Sequence, residues 1–112
     1  MKKIGLIVKT TLTDSSCPPY DHKEIKICDS ISNGKDVVLD ELKHAFYDEN
    51  ADDDDKLLDC KTLDEIASLM STWGYDSVFC DENTFSWEDN CKGETYRFVE
   101  IDIEDYANYQ SI

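Results

Sequence analysis

"YDSVFCDENTFSWEDNCKGETYRFVEIDI", residues 75–103, shifts the hydrophobic period of the chain to two. Alternation runs through 75–81, 84–87 and 94–103, and the intervening "DEN" and "EDNCKG" have turn composition. The pattern predicts three strands of an antiparallel meander. In the last of them Val99, Ile101 and Ile103 share one face, while Phe98, Glu100 and Asp102 take the other.

Immediately upstream the period is helical. Leu63, Ile66, Ala67, Met70 and Trp73 form an apolar stripe in "TLDEIASLMSTW", 62–73. Thr62 and Glu65 make a T-x-x-E capping box, and Gly74 supplies the stop. A first helix is expected over about 35–49, from Val38, Leu42, Ala45 and Phe46, with Asp36, Asp40 and Glu41 near its positive end.

At the N-terminus "IGLIV" gives a strand at about 2–10, and "KEIKICD" a second at about 23–29 with Ile25 and Ile27 inward. "TDSSCPPYD", 13–21, reads as a loop, and Asn-Gly in "SNGKD", 32–36, as a break after the second strand. The tail "EDYANYQSI" suits one helical turn with Tyr106 and Tyr109 on one side.

The expected order is β-β-α-α-β-β-β. It describes an α+β layer, a mostly antiparallel sheet of about five strands with two helices packed on one face. The 112 residues suit a single domain, 1–112. A hydrophobic content of 40% is enough for one core despite a net charge of −15.

That charge is unevenly placed. Residues 1–47 hold seven acids and seven lysines, whereas residues 48–112 hold 19 acids against Lys56, Lys61, Lys92 and Arg97. The whole excess therefore lies in the later part. Such a field repels phosphate backbones and anionic membranes and attracts basic protein surfaces, so direct nucleic-acid or membrane binding is not expected.

The run "IGLIV" is too short for a secretory signal and is followed by Lys9. Nothing approaches the length of a membrane span. With no export signal, the five cysteines are expected as reduced thiols of a cytoplasmic protein, most of them small buried hydrophobes. Cys17, Cys28 and His22 are the one set with any zinc-ligand character, but no cysteine pair has zinc-knuckle spacing.

"YDENADDDDKLLD", 47–59, holds seven acids. Asp48, Asn50 and Asp52 match positions 1, 3 and 5 of a calcium-binding EF-hand loop. Asp53 then replaces the required glycine, Asp55 the apolar residue and Asp59 the bidentate glutamate. "DDDDK", 52–56, also matches the recognition sequence of enteropeptidase, a coincidence of acidic composition that would still leave a loop there open to proteolysis. No G-x-S-x-G, HExxH or glycine-rich phosphate loop is present. Neither His22 nor His44 has a motif partner, and among 26 acids no catalytic pair stands out. No enzyme activity and no cofactor are expected.

Three acidic features remain. They are Asp52, Asp53, Asp54 and Asp55; Asp81, Glu82, Glu88 and Asp89 flanking Phe85 and Trp87; and Glu100, Asp102, Glu104 and Asp105. On one strand face Glu100, Asp102 and Glu104 stand about 6.6 Å apart, near two axial steps of a nucleic-acid strand.

The expectation is a small inhibitor that mimics nucleic acid and blocks the basic groove of a nucleic-acid-handling enzyme. It resembles phage inhibitors of restriction or CRISPR nucleases in size and charge only. Phe85 and Trp87 are expected as aromatic anchors or as core residues. Four alternatives stand beside this reading: an acidic surface that is merely solvated, an immunity protein or antitoxin of a nuclease toxin, a divalent-cation-binding regulator using residues 48–59 and, as the weakest, a metal-dependent enzyme.

Overall fold

The computed structural model describes residues 2–13, 20–90 and 92–106. Two strands, β1 (Lys3–Thr13) and β2 (Tyr20–Cys28), precede the helix α1 (Ile31–Phe46). A 3-10 turn (Ala51–Asp53), the short helix α2 (Asp54–Asp59) and the helix α3 (Leu63–Ser71) follow. The strands β3 (Ser77–Cys80), β4 (Thr84–Asp89) and β5 (Lys92–Asp102) complete the sheet, and a second 3-10 turn covers Ile103–Asp105. This is the α+β order expected, with one short helix added inside the acidic segment.

The sheet is antiparallel throughout, in the order β2-β1-β5-β4-β3. β1 is an inner strand, between β2 and β5, and both of its faces are apolar. Ile7 joins the helix-side core, while Ile4, Leu6 and Val8 are buried on the reverse face. On the helix side Phe85, Tyr96 and Phe98 meet Val38, Leu42 and Phe46 of α1 and Leu63, Ile66 and Met70 of α3 in one core.

The break expected at Asn33-Gly34 lies instead inside the first turn of α1. Ser30 caps that helix, its Oγ accepting from the Asn33 N–H at 3.0 Å, and the Asn33 side chain accepts from the Asp29 N–H at 3.1 Å. Helix α1 therefore begins about a turn earlier than the apolar spacing alone implies. Its N-terminus also sits tightly on the sheet. A Cβ at Gly5 would lie 2.7 Å from the Ser30 carbonyl carbon, and one at Gly34 would lie 2.9 Å from Cys28 Sγ. Glycine at both positions permits that approach.

The capping box of α3 forms in a shifted version. Thr62 Oγ1 accepts from the Glu65 N–H at 3.2 Å, while Glu65 Oε2 accepts from the Lys61 N–H at 2.6 Å. After Ser71 the chain turns through Gly74 at φ +80°, the left-handed conformation that glycine adopts without penalty.

Cys28 and Cys60 are buried free thiols, as small hydrophobes would be, and Cys80 is a half-buried one. Cys17, Cys91 and the greater part of the 13–21 loop lie outside the described residues, as does the tail after Tyr106. The side chain of His22 is likewise not described. Among the described residues no helix is long and apolar enough to cross a membrane.

Candidate functional site

The acidic segment 47–59 is not an open loop. Asp54 begins α2 and accepts the Asp48 N–H at 3.0 Å. Asp53 Oδ2 accepts from Trp73 Nε1 at 2.7 Å, and its Oδ1 lies 3.6 Å from Lys56 Nζ. Leu57 is fully buried in the core and anchors the segment to the helix layer. Asp52 and Asp55 remain exposed and form no ion pair with a described residue. The carboxylates diverge along a helical turn, and no group of three metal-ligating side chains forms among the described residues.

This segment abuts an aromatic cluster that the sequence reading did not assemble. Phe46 packs edge-on against Trp87 with ring centroids 5.3 Å apart. Trp73 and Tyr75 each lie 6.1 Å from Phe46, and Tyr75 lies 5.7 Å from Trp87. Trp73, Tyr75 and Trp87 are half-buried. Burial raises the Tyr75 hydroxyl above its ordinary pKa, and the Glu49 and Asp89 carboxylates push in the same direction. Two acidic runs separated by 40 residues of chain thus face one phenol. Asp76 joins them by accepting the Asn90 N–H at 3.1 Å.

Phe85 is not a surface anchor. Its register opposite Tyr96 turns it into the helix-side core, where it is fully buried. Trp87 lines the inner side of the aromatic cluster and donates from Nε1 to Glu94 Oε1 at 3.1 Å. Glu94 also pairs with Lys9 at 2.9 Å and lies 3.2 Å from the Tyr96 hydroxyl. Its charge is answered within the chain, so it belongs to the scaffold of the site.

The three acidic features divide into two groups. Asp89 lies beside Lys92, at the end of the sheet that carries the aromatic cluster. Asp81 and Glu82 sit at the opposite end of β4, about 20 Å away at the strand rise per residue. The bond of the Phe98 N–H to the Asn83 carbonyl brings this turn against β5, two residues before Glu100, while Asp81 stays on the β3 side with its N–H on the Thr84 carbonyl. Glu104 does not continue the face of Glu100 and Asp102. β5 ends at Asp102, and Glu104 and Asp105 lie in the 3-10 turn, so strand spacing does not govern all three carboxylates. Asp102 lies 3.9 Å from Lys3 Nζ. Glu88 points to the reverse face of the sheet, where register also places Lys23 and Arg97. Among the described residues register places only Glu88 and Asp21 as acids on the reverse face of the strands, and most of the remaining acids fall on the helix layer and the sheet ends.

Cys80 sits near the start of α3. Burial and a hydrogen bond to Asp64, with the charges of Asp64 and Asp81, push its thiol up to about 12, against a smaller opposing effect of Lys35. At neutral pH it is a protonated thiol with little nucleophilic character.

No protein-family model, curated protein or solved structure matches this chain.

Proposed function

We propose that this chain is a protein-binding inhibitor that presents carboxylates in place of nucleic-acid phosphates to a basic groove on a nucleic-acid-handling enzyme, in the manner of anti-restriction or anti-CRISPR proteins. The observation that carries this reading is the convergence of the 47–59 and 76–89 segments on one ring cluster, where Asp53 accepts from Trp73, Asp76 accepts from Asn90, and Tyr75 packs between Phe46 and Trp87. Around them Asp52 and Asp55 have no described cationic partner. Carboxylates on a rigid aromatic base are pre-organised, so ordering them on binding costs little. Partner arginines gain charge-assisted hydrogen bonds there, and the one-sided field accelerates encounter. Binding takes place in the cytoplasm under this reading.

The aromatic base changes which residues act. Asp52, Asp55, Glu49 and Asp89 form the leading contact group, with Trp73 and Tyr75 in place of Phe85 as half-buried aromatic contacts. The opposite group, Asp81, Glu82 and Glu100, serves as a second contact about one strand length away.

Affinity capture from host lysate at low and moderate salt tests the reading, using wild type and a variant with Asp52 and Asp55 both replaced by Asn. A nuclease or polymerase should be retained by wild type, weakly by the variant, and released by added duplex DNA. Retention that is insensitive to both salt and DNA would overturn the proposal.

A further inference from the structure

The outer edge of β2 offers a second interaction surface, independent of the acidic one. β2 lies at the end of the sheet and pairs only with β1 among the described strands. Its outward backbone N–H and C=O groups are therefore a template for another strand. Ile27 on this strand is 54% exposed, and Lys23, Glu24 and Lys26 are exposed beside it.

The sequence of this edge is self-complementary. We propose that β2 pairs antiparallel with β2 of a second copy of this chain, about a two-fold axis through Ile25, joining the two sheets into one. In that register Ile25 faces Ile25, Glu24 faces the second copy's Lys26, and Lys26 faces its Glu24. Lys23 lies opposite the second copy's Ile27, and its aliphatic stem covers that exposed side chain. Directly opposed residues share a face, so both ion pairs form on the helix side and the isoleucines extend the apolar strip on the reverse face.

The neighbouring two-fold registers are disfavoured. A shift one way sets Glu24 opposite Glu24, and a shift the other way sets Lys26 opposite Lys26. Like charges directly opposed destabilise a strand pair. Residues 1–47 hold as many lysines as acids, whereas the rest of the chain carries the whole −15. β2 thus lies in the charge-balanced part of the chain, and it keeps the acidic aromatic end of each copy outward.

Sedimentation velocity on the full chain, at concentrations rising to the millimolar range, reads the association directly. Wild type should shift from monomer to dimer. Glu24→Lys alone and Lys26→Glu alone should each weaken association about tenfold or more, since each reversal opposes like charges twice across the axis. A one-to-one mixture of these two variants restores both opposite-charge pairs and should recover the dimer.

Lys26 also pairs with Glu41 in its own chain, so circular dichroism must show that each variant is folded. Ile25→Cys supplies a second readout. Its Cα atoms would lie about 4.5–5.5 Å apart across the axis, within disulfide reach, and oxidation should give a dimer cross-linked at residue 25. A wild type that stays monomeric would overturn the proposal and leave the lysines as guards of the edge. A dimer retained by both single variants, a mixture that stays monomeric, or no cross-link at residue 25 would equally overturn it.

Discussion

The indole N–H of Trp73 donates to the carboxylate of Asp53 at 2.7 Å, joining the end of the α3 segment to the acidic connection 20 residues earlier in the chain. With the burial of Leu57, it converts a stretch of acidic composition into a fixed feature. A carboxylate acceptor makes this a stronger hydrogen bond than a neutral pair, and Asp53 is only 19% exposed.

Trp73→Phe should therefore lower stability by about 1.5–3 kcal/mol, the range of one hydrogen bond to a charged group, measured by urea denaturation. The same change should loosen residues 51–59. "DDDDK" ends inside α2, and a protease needs that helix opened before it can cut after Lys56. Enteropeptidase should cut the wild type slowly and the Trp73→Phe variant faster at temperatures where both are folded. Equal rates would show that the hydrogen bond does not hold the segment.

Phe85→Ala should cost about 3–5 kcal/mol, the range for emptying a large aromatic site in a core. Phe85 is fully buried with its ring 6.4 Å from Tyr96. Its effect should appear in thermal unfolding, and partner affinity per folded molecule should stay unchanged. Tyr75→Ala should do the reverse in proportion, with a larger loss of binding than of stability. A Phe85→Ala variant that is fully folded and deficient in binding would reassign it to the surface.

Much of this architecture is legible in local pattern. The alternation of 94–103 and the stripe of Leu63, Ile66 and Met70 each report a single element, and each appears where its period places it. The T-x-x-E signal also marks the start of α3. What local pattern does not carry is pairing between distant segments. Phe85 and Trp87 sit on the same face of β4 as expected, but which face is covered depends on α1 and α3 arriving there. The meeting of the Glu49 and Asp89 segments around Tyr75 depends on strand order, which no single segment encodes. Asn33-Gly34 has turn composition, yet Ser30 and the Asp29 N–H complete a helix cap around it, so tertiary packing on Gly5 overrides the dipeptide.

Gly5→Ala should destabilise the chain by about 1–3 kcal/mol, the range for overpacking. The added methyl would meet the Ser30 backbone at 2.7–2.8 Å, and Cys28 Sγ at 2.8 Å. The obstacle is mainly backbone, which cannot rotate aside, so α1 must lift from the sheet at its N-terminus. Thermal unfolding measures the loss, and faster amide exchange across residues 31–34 would locate it. A neutral outcome would show that α1 does not need this close seat.

Asp48 connects charge crowding to pH. It sits at φ 68°, an unfavourable conformation for most residues though one that Asn tolerates. A hydrogen bond shared with Asp54, then desolvation and the Asp54 charge, raise its carboxyl above the ordinary value of 3.8. The folded chain therefore holds this proton to higher pH than the unfolded chain does. In the window opening just above pH 3.8 the native state binds more protons, so this carboxyl contributes stability at lower pH that is lost as pH rises. Asp48→Asn supplies a donor to Asp54 without titrating and suits the left-handed backbone. Its melting temperature should exceed that of the wild type at pH 7, and the advantage should shrink as pH falls through that window. Scanning calorimetry of both proteins across mildly acidic pH reads the difference, in which the titrations of the other carboxylates largely cancel. A constant difference across the range would assign the gain to the backbone conformation alone.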